Sequence, residues 1–507
     1  MNNPFIVLPV IFHLFTAVLL LFFWYKVNAQ RLITIIGSIA SVGIAVWLFR
    51  EVYQNGILTM QAGEWQAPFG ISFVADAFSA TMVLLTALSG MAVAIFSTGS
   101  IRNARLKFGY FPILNFLLMG LNGAFLTGDI FNLYVWFEII IIASFVLITI
   151  GGEKAQIEGA IKYVTMNLLA SAIFLTAIAI LYGMAGSLNM ADLSGQVAQI
   201  ENRGLVNVVA ILFLVGFGIK SAIFPLYFWL PASYHTPPPA ISAIFGGLLT
   251  KVGVYALLRI FTLIFIPDEF LSTLLIVIAA LTILSGGLGA ILQVNMRKIF
   301  SYLIVCHIGF MIAGLGIYTE LALVGAIFYL IHDIIVKTNL FLVSGLIFKL
   351  KGTLNIQKLG GLYKKYPKFS LLMAIPLFSL VGIPPLSGFW AKLFLIQGGY
   401  FEGEYTLIGF ILLGSFLTLW VIAKLWSEVF WKDAVDLPKK INVKYYWELK
   451  PFKQWAMIIP IILLAAISLY IGLAAEHIIL LSEQIASELI DPTPYLEAVL
   501  GTKTETP

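Results

Sequence analysis

The stretch KSAIFPLYFWLPASYHTPPPAISAIFGGLLTKVGVYALLR, from Lys220 to Arg259, decides how the chain folds. Two prolines, Pro225 and Pro231, stand inside a run that is otherwise apolar enough for a membrane helix. Proline removes a backbone hydrogen-bond donor and clashes with the preceding turn, so the helix is predicted to break there. Unwound backbone at membrane depth is tolerated only where protein buries it or where it lines a wet cavity. The stretch therefore predicts a broken membrane helix beside Lys220, followed by a helix that carries Lys251.

The composition of the whole chain excludes a water-soluble fold. Of its 507 residues, 60% are hydrophobic and only 11% are charged, whereas soluble domains carry roughly 25% charged residues. An all-α polytopic membrane protein is therefore predicted. The net charge of +5 is explained by the preference of Lys and Arg for cytoplasmic loops, without nucleic acid. The single cysteine, Cys306, excludes an intramolecular disulfide and a cysteine-rich metal site.

Apolar runs of about 20 residues are long enough to cross a bilayer, and the sequence predicts fourteen of them. The N-terminal run lacks the positive region of a signal peptide, so it is expected to be the first span. The spans are predicted at residues 4–25, 32–50, 73–97, 110–127, 130–150, 159–186, 205–230, 239–261, 270–292, 298–317, 321–349, 370–398, 406–430 and 453–479.

The charges of the loops predict the orientation of the chain. Lys and Arg concentrate in alternate loops, with six lysines between 349 and 368 and another six between 432 and 453. The intervening loops carry mainly acidic residues. Because basic loops stay in the cytoplasm, both termini and the acidic tail after residue 480 are predicted to face outside.

A second broken helix is predicted in MAIPLFSLVGIPPLSGFWAK, residues 373–392, where Pro384 and Pro385 interrupt span twelve. It lies five spans after the first break, so the two helices run in opposite directions. Matched broken helices in opposite orientation indicate inverted repeats around an ion pathway, although two unrelated proline kinks are the alternative. The predicted domains are three N-terminal spans (1–109), a first five-helix repeat of spans 4–8 (110–261), a second of spans 9–13 (270–430), and a final part with span fourteen and the tail (431–507).

Titratable residues inside the spans are the candidate functional residues. A charge near the bilayer centre costs at least about 2.5 kcal/mol, so such a residue is a functional candidate by default. At a rise of 1.5 Å per residue, these residues lie near the bilayer midplane on several helices, where protons can hop from site to site. The row comprises Glu138, Lys220, Lys251, His332, Lys337 and Lys392, with His307 and Asp333 as candidates for the same proton path.

Each of these residues also has a plainer explanation. For the lysines it is a static buried ion pair, but the few buried acids leave too few partners for four lysines. His307 serves the path or merely packs, and both readings stay open. Asp76 is either interfacial or an acid through which protons arrive, His13 is expected to pack, and Lys424 is expected to snorkel to the interface near Glu428.

A switch is predicted at Glu138 and Lys220. A carboxylate that moves toward or away from a lysine changes the affinity of that lysine for its proton. By contrast, the sequence has no Walker A pattern, dinucleotide-binding glycine pattern, zinc-ligand spacing or nucleophile elbow. No cofactor, no metal and no enzymatic activity are therefore predicted for the chain itself, and its energy must come from ion gradients or partners.

Three segments closely resemble the proton-translocating antiporter-like family: GDIFNLYVWFEIIIIASFVLI at 128–148, the stretch from Lys220 to Arg259, and PLFSLVGIPPLSGFWAK at 376–392. This family includes the large subunits of Mrp multisubunit cation/proton antiporters and the antiporter-like subunits of respiratory complex I. The resemblance covers spans two to thirteen, and it implies fourteen helices with two inverted repeats and broken helices seven and twelve.

The resemblance also implies roles for individual residues. It places the glutamate of span five at Glu138 and the lysines of spans seven and eight at Lys220 and Lys251. The histidine and lysine of span eleven fall on His332 and Lys337, and the last residue of the row, in span twelve, falls on Lys392. Lys220 precedes its helix break whereas Lys392 follows its own, so the two half-channels are not expected to be mechanically identical.

Within the family, the segment GDIFNLYVWFE is most similar to the D-type branch of bacterial Mrp antiporters. That similarity implies a proton-translocating subunit of a monovalent cation (Na⁺)/H⁺ antiporter in the bacterial cell membrane, with A, B, C, E, F and G subunits as partners. Because a lysine-rich corridor repels a cation, the cation site is expected in another subunit. The alternatives are a proton-pumping subunit of complex I or of a membrane-bound hydrogenase, and a structural scaffold.

Overall fold

The computed structural model describes residues 3–434 and 444–501. This part of the chain is mostly helical, and twelve of its helices are long and apolar enough to cross a membrane. The prediction of a polytopic helical membrane protein is therefore confirmed. Two further apolar helices, Tyr110–Leu126 and Pro367–Val381, are shorter.

The first half of the described chain contains eight main helices and one hairpin. The helices are α1 Leu8–Phe22, α2 Val27–Asn55, α3 Ala77–Ser100, α4 Tyr110–Leu126, α5 Ile130–Thr149, α6 Lys154–Ala185, α7 Arg203–Ser221 and α8 Pro239–Leu263. Short helical segments lie at Pro4–Val7, Ala62–Glu64, Asn103–Leu106, Met190–Ala198 and Trp229–Ser233.

The second half contains nine main helices. They are α9 Glu269–Ile291, α10 Met296–Ile317, α11 Glu320–Lys351, α12 Pro367–Val381, α13 Ser387–Phe401, α14 Tyr405–Trp431, α15 Pro451–Leu473, α16 Ala475–Ile490 and α17 Thr493–Leu500. Short helical segments lie at Ile356–Lys358, Leu362–Lys365 and Tyr446–Glu448.

A β-hairpin precedes α3 and corrects the predicted start of span three. Strand β1 (Leu58–Gln61) pairs antiparallel with β2 (Ser72–Ala75), so residues 73–75 are extended rather than helical. The helix begins only after Asp76, whose side chain accepts a hydrogen bond from the Ser79 backbone N–H at 2.8 Å. An N-cap of this kind satisfies an amide that the first helical turn leaves without a partner.

The first proline-rich stretch breaks its helix. Helix α7 ends at Ser221, and Ala222 takes a left-handed conformation with φ of 63°. Pro225 lies in the irregular turn that follows, as the predicted break in this span requires. The indole N–H of Trp229 donates to the carbonyl of Ile219, in the last turn of α7, at 3.0 Å.

The second stretch breaks in the same way. Helix α12 ends at Val381, Gly382 is left-handed with φ of 85°, and Pro384 and Pro385 lie in the turn before α13. Here a lysine of α13 connects the two helices, because Lys392 Nζ donates to the carbonyl of Val381, the last residue of α12, at 2.7 Å. Both breaks are thus held by a side chain that reaches back to the end of the preceding helix.

The end of the chain differs from the predicted span at 453–479. Helix α15 ends at Leu473, because Ala474 leaves the helical conformation (φ −107°, ψ 44°), and α16 begins as a separate helix. The tail then folds back on the hairpin, where the hydroxyl of Thr59 donates to the carbonyl of Ala498 at 3.3 Å. The last described residues are therefore part of the packed protein.

Candidate functional site

The centre of the candidate site is a buried ion pair between α8 and α11. Lys251 Nζ lies 2.6 Å from Asp333 Oδ2, and both side chains have 0% exposure. Lys251 also donates to the carbonyl of Gly246 at 2.9 Å. On the other side of the carboxylate, His307 Nδ1 of α10 lies 3.2 Å from Asp333 Oδ1. One carboxylate therefore connects a lysine and a histidine from two other helices.

The local sequence FGGLL explains how Lys251 reaches this carboxylate. Residues Phe245–Leu249 form a π-helical turn, and turns of this type occur frequently at functional sites. A Cβ at Gly247 would collide with the Thr338 hydroxyl, and one at Gly246 would collide with the Phe341 ring. Only glycine lets α8 come this close to α11, so the two glycines set the approach that brings the lysine and carboxylate together.

The cluster extends to α14 through a histidine and a hydroxyl. His307 Nε2 lies 3.3 Å from Thr418 Oγ1, and both side chains are fully buried. Thr418 in turn donates to the carbonyl of Gly414 at 2.8 Å. The imidazole can accept a proton at one nitrogen and release one at the other, so its two contacts make it a bridge between Asp333 and Thr418.

A second polar chain surrounds the break between α12 and α13. His332 Nδ1 lies 2.7 Å from the Oγ of Ser387, the first residue of α13. Ser387 Oγ is 3.5 Å from Ser468 Oγ, and Ser468 donates to Ser379 Oγ at 3.1 Å. The three hydroxyls therefore connect the histidine to both halves of the broken helix and to α15.

Lys337 and Lys392 complete the second half of the predicted row. Lys337 is fully buried one turn after Asp333, and its ammonium has no hydrogen-bond partner among residues 3–434 and 444–501. Lys392 is 5% exposed, and its ammonium lies 5.4 Å from the centre of the Phe310 ring. A buried ammonium without a fixed partner is costly, which favours a group that exchanges protons.

Lys220 and Glu138 are not directly paired. Lys220 Nζ donates to Ser171 Oγ at 3.1 Å and lies 4.6 Å from the centre of the Phe137 ring. Glu138 is half-buried, and its Oε1 has no hydrogen-bond partner within the described ranges. The predicted switch at these two residues stays a prediction. The structure adds Ser171, the hydrogen-bond partner of Lys220, as a residue that the sequence did not indicate.

Asp333, one of the few buried acids that the sequence offers, pairs with one lysine of the row. Lys251 has Asp333 as its counter-ion. The sequence does not predict this pair, because its two residues lie in distant spans. Lys424 is exposed as expected, but its ammonium donates to the carbonyl of Ile291. Glu428, which stands one turn further on, pairs instead with Lys432 at 2.9 Å.

Two plainer expectations can also be compared with the structure. His13 is packed as expected, with its ring nitrogens 3.1 Å from Asn115 Oδ1 and 3.0 Å from Ser41 Oγ. Asp76 is buried, and its carboxylate pairs with Arg259 Nη2 at 2.5 Å. Asp76 is therefore a paired helix cap rather than an exposed interfacial acid.

Arg259 is the main residue that sequence reasoning missed. Its guanidinium lies 5.3 Å from the centre of the Tyr495 ring, and Glu488 nearby accepts a hydrogen bond from the Ala77 backbone N–H at 3.2 Å. Burial, together with the charge of Asp76, raises the pKa of Glu488 above its ordinary value. The signal that could have identified Arg259 is its charge, which lies inside the predicted apolar span 239–261.

The described residues hold no group of three or more His, Cys, Asp or Glu side chains arranged for a metal ion.

The fold and the site together define a class of protein: a polytopic helical membrane protein with a buried row of titratable side chains and two broken helices. The model of the family described as "NADH:quinone oxidoreductase/Mrp antiporter, TM" matches residues 127–418. The chain belongs to this family. The resemblance found in the sequence is therefore confirmed.

Individual relatives match over almost the whole chain. The D subunit of the Na⁺/H⁺ antiporter of Alkalihalophilus pseudofirmus is 43% identical, covering 99% of this chain and 100% of the relative. The protein of the same name from Bacillus subtilis is 41% identical with the same coverage. A chain in the structure of the Mrp complex from Dietzia sp. is 29% identical with a TM-score of 0.91, covering 98% of this chain and 99% of that chain.

Proposed function

We propose that this chain is the proton-carrying D-type subunit of a multisubunit Na⁺/H⁺ antiporter, and that the other Mrp subunits are its partners. The full-length similarity to relatives that are named as D subunits of such antiporters supports this assignment. The chain is a transporter component, and its work is to move protons between the two sides of a bacterial plasma membrane.

The observation that carries the proposal is the buried array around Asp333. Lys251, Asp333 and His307 form a continuous set of contacts of 2.6 and 3.2 Å, and Lys337 lies one helical turn away. Each of these groups is able to change its charge by gaining or losing a proton. A proton that arrives at one member shifts the electrostatic balance of the next, and in a low-dielectric interior such interactions are strong.

The proton passes from group to group in the order in which these groups lie across the two repeats. Lys220 with Glu138 controls the first repeat, Lys251 is the central relay, and His332 with Lys337 carries the proton toward Lys392. The hydroxyl chain from Ser387 to Ser379 gives His332 a set of groups that both donate and accept hydrogen bonds. Lys392, held at the end of α12, is the terminal site of the row.

The topology belongs to the same proposal. Fourteen crossings result when α4 and the broken pair α12–α13 are added to the twelve long helices. The inverted repeats then span 110–261 and 270–430, and both termini face outside. The similar construction of the two breaks, each with a left-handed residue at 222 or 382 and a lysine beside it, supports the repeat.

The test replaces Lys337 with glutamine in the assembled complex. Because its ammonium has no hydrogen-bond partner in the described part of the chain, the change removes a buried charge without breaking a contact, and assembly is expected to be normal. Sodium-driven proton movement in everted vesicles should be lost. Lys424→Gln, at an exposed position, is the matched control and should retain activity. A fully active Lys337→Gln complex would remove this lysine from the path.

The identity of the partners separates this function from its alternative. A complex purified through this chain should contain small Mrp-type membrane subunits and no iron–sulfur proteins. Peripheral redox subunits in the purified complex would instead assign the chain to a complex I-like or hydrogenase assembly, where the same row would pump protons.

A further inference from the structure

A cavity of about 580 Å³ lies where the basic ends of several helices meet. It is formed by the last turn of α3, the start of α8, α10 and α15, and the end of α11. This is the face that the proposed topology places in the cytoplasm. Its basic lining residues are Arg102, Arg105, Arg297, Lys349, Lys444 and Lys453.

The described lining of this basic cavity carries more positive than negative charge. Glu153 is the one acidic residue among the described residues that line it, and its carboxylate is held by Arg105 at 2.6 Å. Among the described lining residues, six bases and one acid give a net formal charge of +5. Like charges held together in this way repel one another, so the site is stabilised by an anion that enters it.

Donors inside the cavity point to a ligand rather than to a merely solvated patch. Arg297 Nη1 donates to the carbonyl of Pro237 at 2.5 Å, which fixes the guanidinium. Its Nε and the nearby Ser100 hydroxyl are buried and have no hydrogen-bond partner in residues 3–434 and 444–501, and neither has the acceptor Gln156 Oε1. Buried donors are normally satisfied, and a phosphate group accepts several such bonds at once.

A second cavity of about 630 Å³ adjoins the first. The two share Asn103, Lys444, Leu449 and Lys453 in their linings. The second cavity adds Arg31, whose Nε also lacks a partner in the described chain, together with apolar Leu32 and Phe452, which are 60% and 59% exposed. Its acid, Glu448, is engaged in accepting a hydrogen bond from the Tyr445 backbone N–H at 3.0 Å.

We infer that the basic cavity binds a phosphate-bearing anion, and that this anion is the headgroup of an anionic phospholipid. The apolar residues of the second cavity would then contact the acyl chains of the lipid. Basic recesses between membrane helices on the cytoplasmic side suit such headgroups. The phosphate contacts Arg297 and its basic neighbours, while the acyl chains lie along Leu32 and Phe452. The inference uses the proposed orientation only to say that the inner leaflet supplies the lipid.

The test uses the whole antiporter complex, purified in detergent. Phosphatidylglycerol, phosphatidylcholine or inorganic phosphate is added back, and bound lipid is measured by native mass spectrometry together with the thermal midpoint of the complex. Phosphatidylglycerol should bind and raise the midpoint, whereas phosphatidylcholine should not. Stabilisation by inorganic phosphate without phosphatidylglycerol binding would support an anion site that is filled from solution.

The variants locate the effect in the cavity. Lys349→Gln/Lys453→Gln removes two charges and should weaken phosphatidylglycerol binding roughly tenfold or more, because each basic group near an anionic lipid contributes about a fivefold factor. Lys358→Gln/Lys364→Gln removes two exposed charges from the same face outside the cavity and should bind like the wild type. Equal binding by both double variants, or no preference for phosphatidylglycerol over phosphatidylcholine, would overturn the inference.

A third variant covers the case in which the double substitution prevents assembly. Arg297→Lys keeps the charge but loses the planar set of donors that an arginine offers to phosphate, so assembly should survive and phosphatidylglycerol should bind several-fold more weakly. If the complex bound neither lipid nor phosphate and the double variant lost a neighbouring subunit, the cavity would belong to a protein interface and the inference would be wrong.

Discussion

The substitution Lys251→Arg tests the central step of the proposed proton path. A relay must lose and regain its proton in each turnover, whereas arginine is effectively never deprotonated in proteins. The variant keeps a positive charge beside Asp333, so the carboxylate that lies 2.6 Å from Lys251 Nζ still has a buried counter-ion. The change therefore separates the chemistry of the residue from its charge.

The size of the expected effects comes from the surroundings of the pair. Both side chains have 0% exposure, and removing one partner of a buried pair costs about 3–5 kcal/mol because the other charge is left uncompensated. Lys251→Ala is therefore expected to reduce assembly as well as transport. Lys251→Arg is expected to assemble, and its antiport rate should fall about 100-fold or more, since a positioned proton-transfer group contributes roughly 10²–10⁴-fold.

The assay is sodium-driven proton movement in vesicles that hold equal amounts of assembled complex. Lys424→Arg is the matched control, because that lysine is exposed and donates to the Ile291 carbonyl, and it should behave like the wild type. If the assembled Lys251→Arg complex kept full antiport activity, Lys251 would be a fixed electrostatic element, and its role as a relay would have to be abandoned.

Three further predictions concern other parts of the chain. Lys220→Ala and Glu138→Ala should each abolish antiport in an intact complex, measured in the same vesicles, and full activity of either would remove it from the switch. A cysteine placed at Lys364 should react with a membrane-impermeant maleimide only in inside-out vesicles; labelling of intact cells would reverse the proposed orientation. Arg259→Ala leaves Asp76 buried without its partner and should destabilise the protein by about 3–5 kcal/mol. This loss should appear as a lower thermal midpoint and as faster proteolysis of the C-terminal helices, and an unchanged midpoint would show that the pair does not stabilise the protein.

The helix breaks could be predicted from the sequence because their cause is local. Pro225, Pro384 and Pro385 each remove a backbone donor within a run that is otherwise helical, so no tertiary information is needed to expect a break. The positions of the membrane lysines were predictable for the same reason, since a charge in a long apolar run stands out. Both kinds of signal lie within one span.

The partners of those residues could not be predicted, because they depend on contacts between distant spans. The pairing of Lys251 with Asp333 requires the close approach of α8 and α11 that Gly246 and Gly247 permit, and a glycine pair in a membrane helix does not by itself say which helix packs against it. The pairing of Arg259 with Asp76 similarly joins the last turns of α8 to the start of α3. A row of candidate residues follows from the sequence, whereas its connections follow only from packing.

The start of α3 was mispredicted because hydropathy alone does not distinguish a short apolar strand from a helix. Ser72–Ala75 pairs with Leu58–Gln61, and Asp76 then caps the helix. The aspartate near the start of the predicted span was the usable boundary signal, since Asp is among the preferred N-cap residues.

The ion pair between Lys251 and Asp333 limits how the chain can be divided. The lysine lies in α8 and the carboxylate in α11, so a cut between these two helices separates the two charges. A fragment that ends before α11 would bury Lys251 without its carboxylate, at a cost of about 3–5 kcal/mol. Each part of the chain therefore needs the other to balance this buried charge.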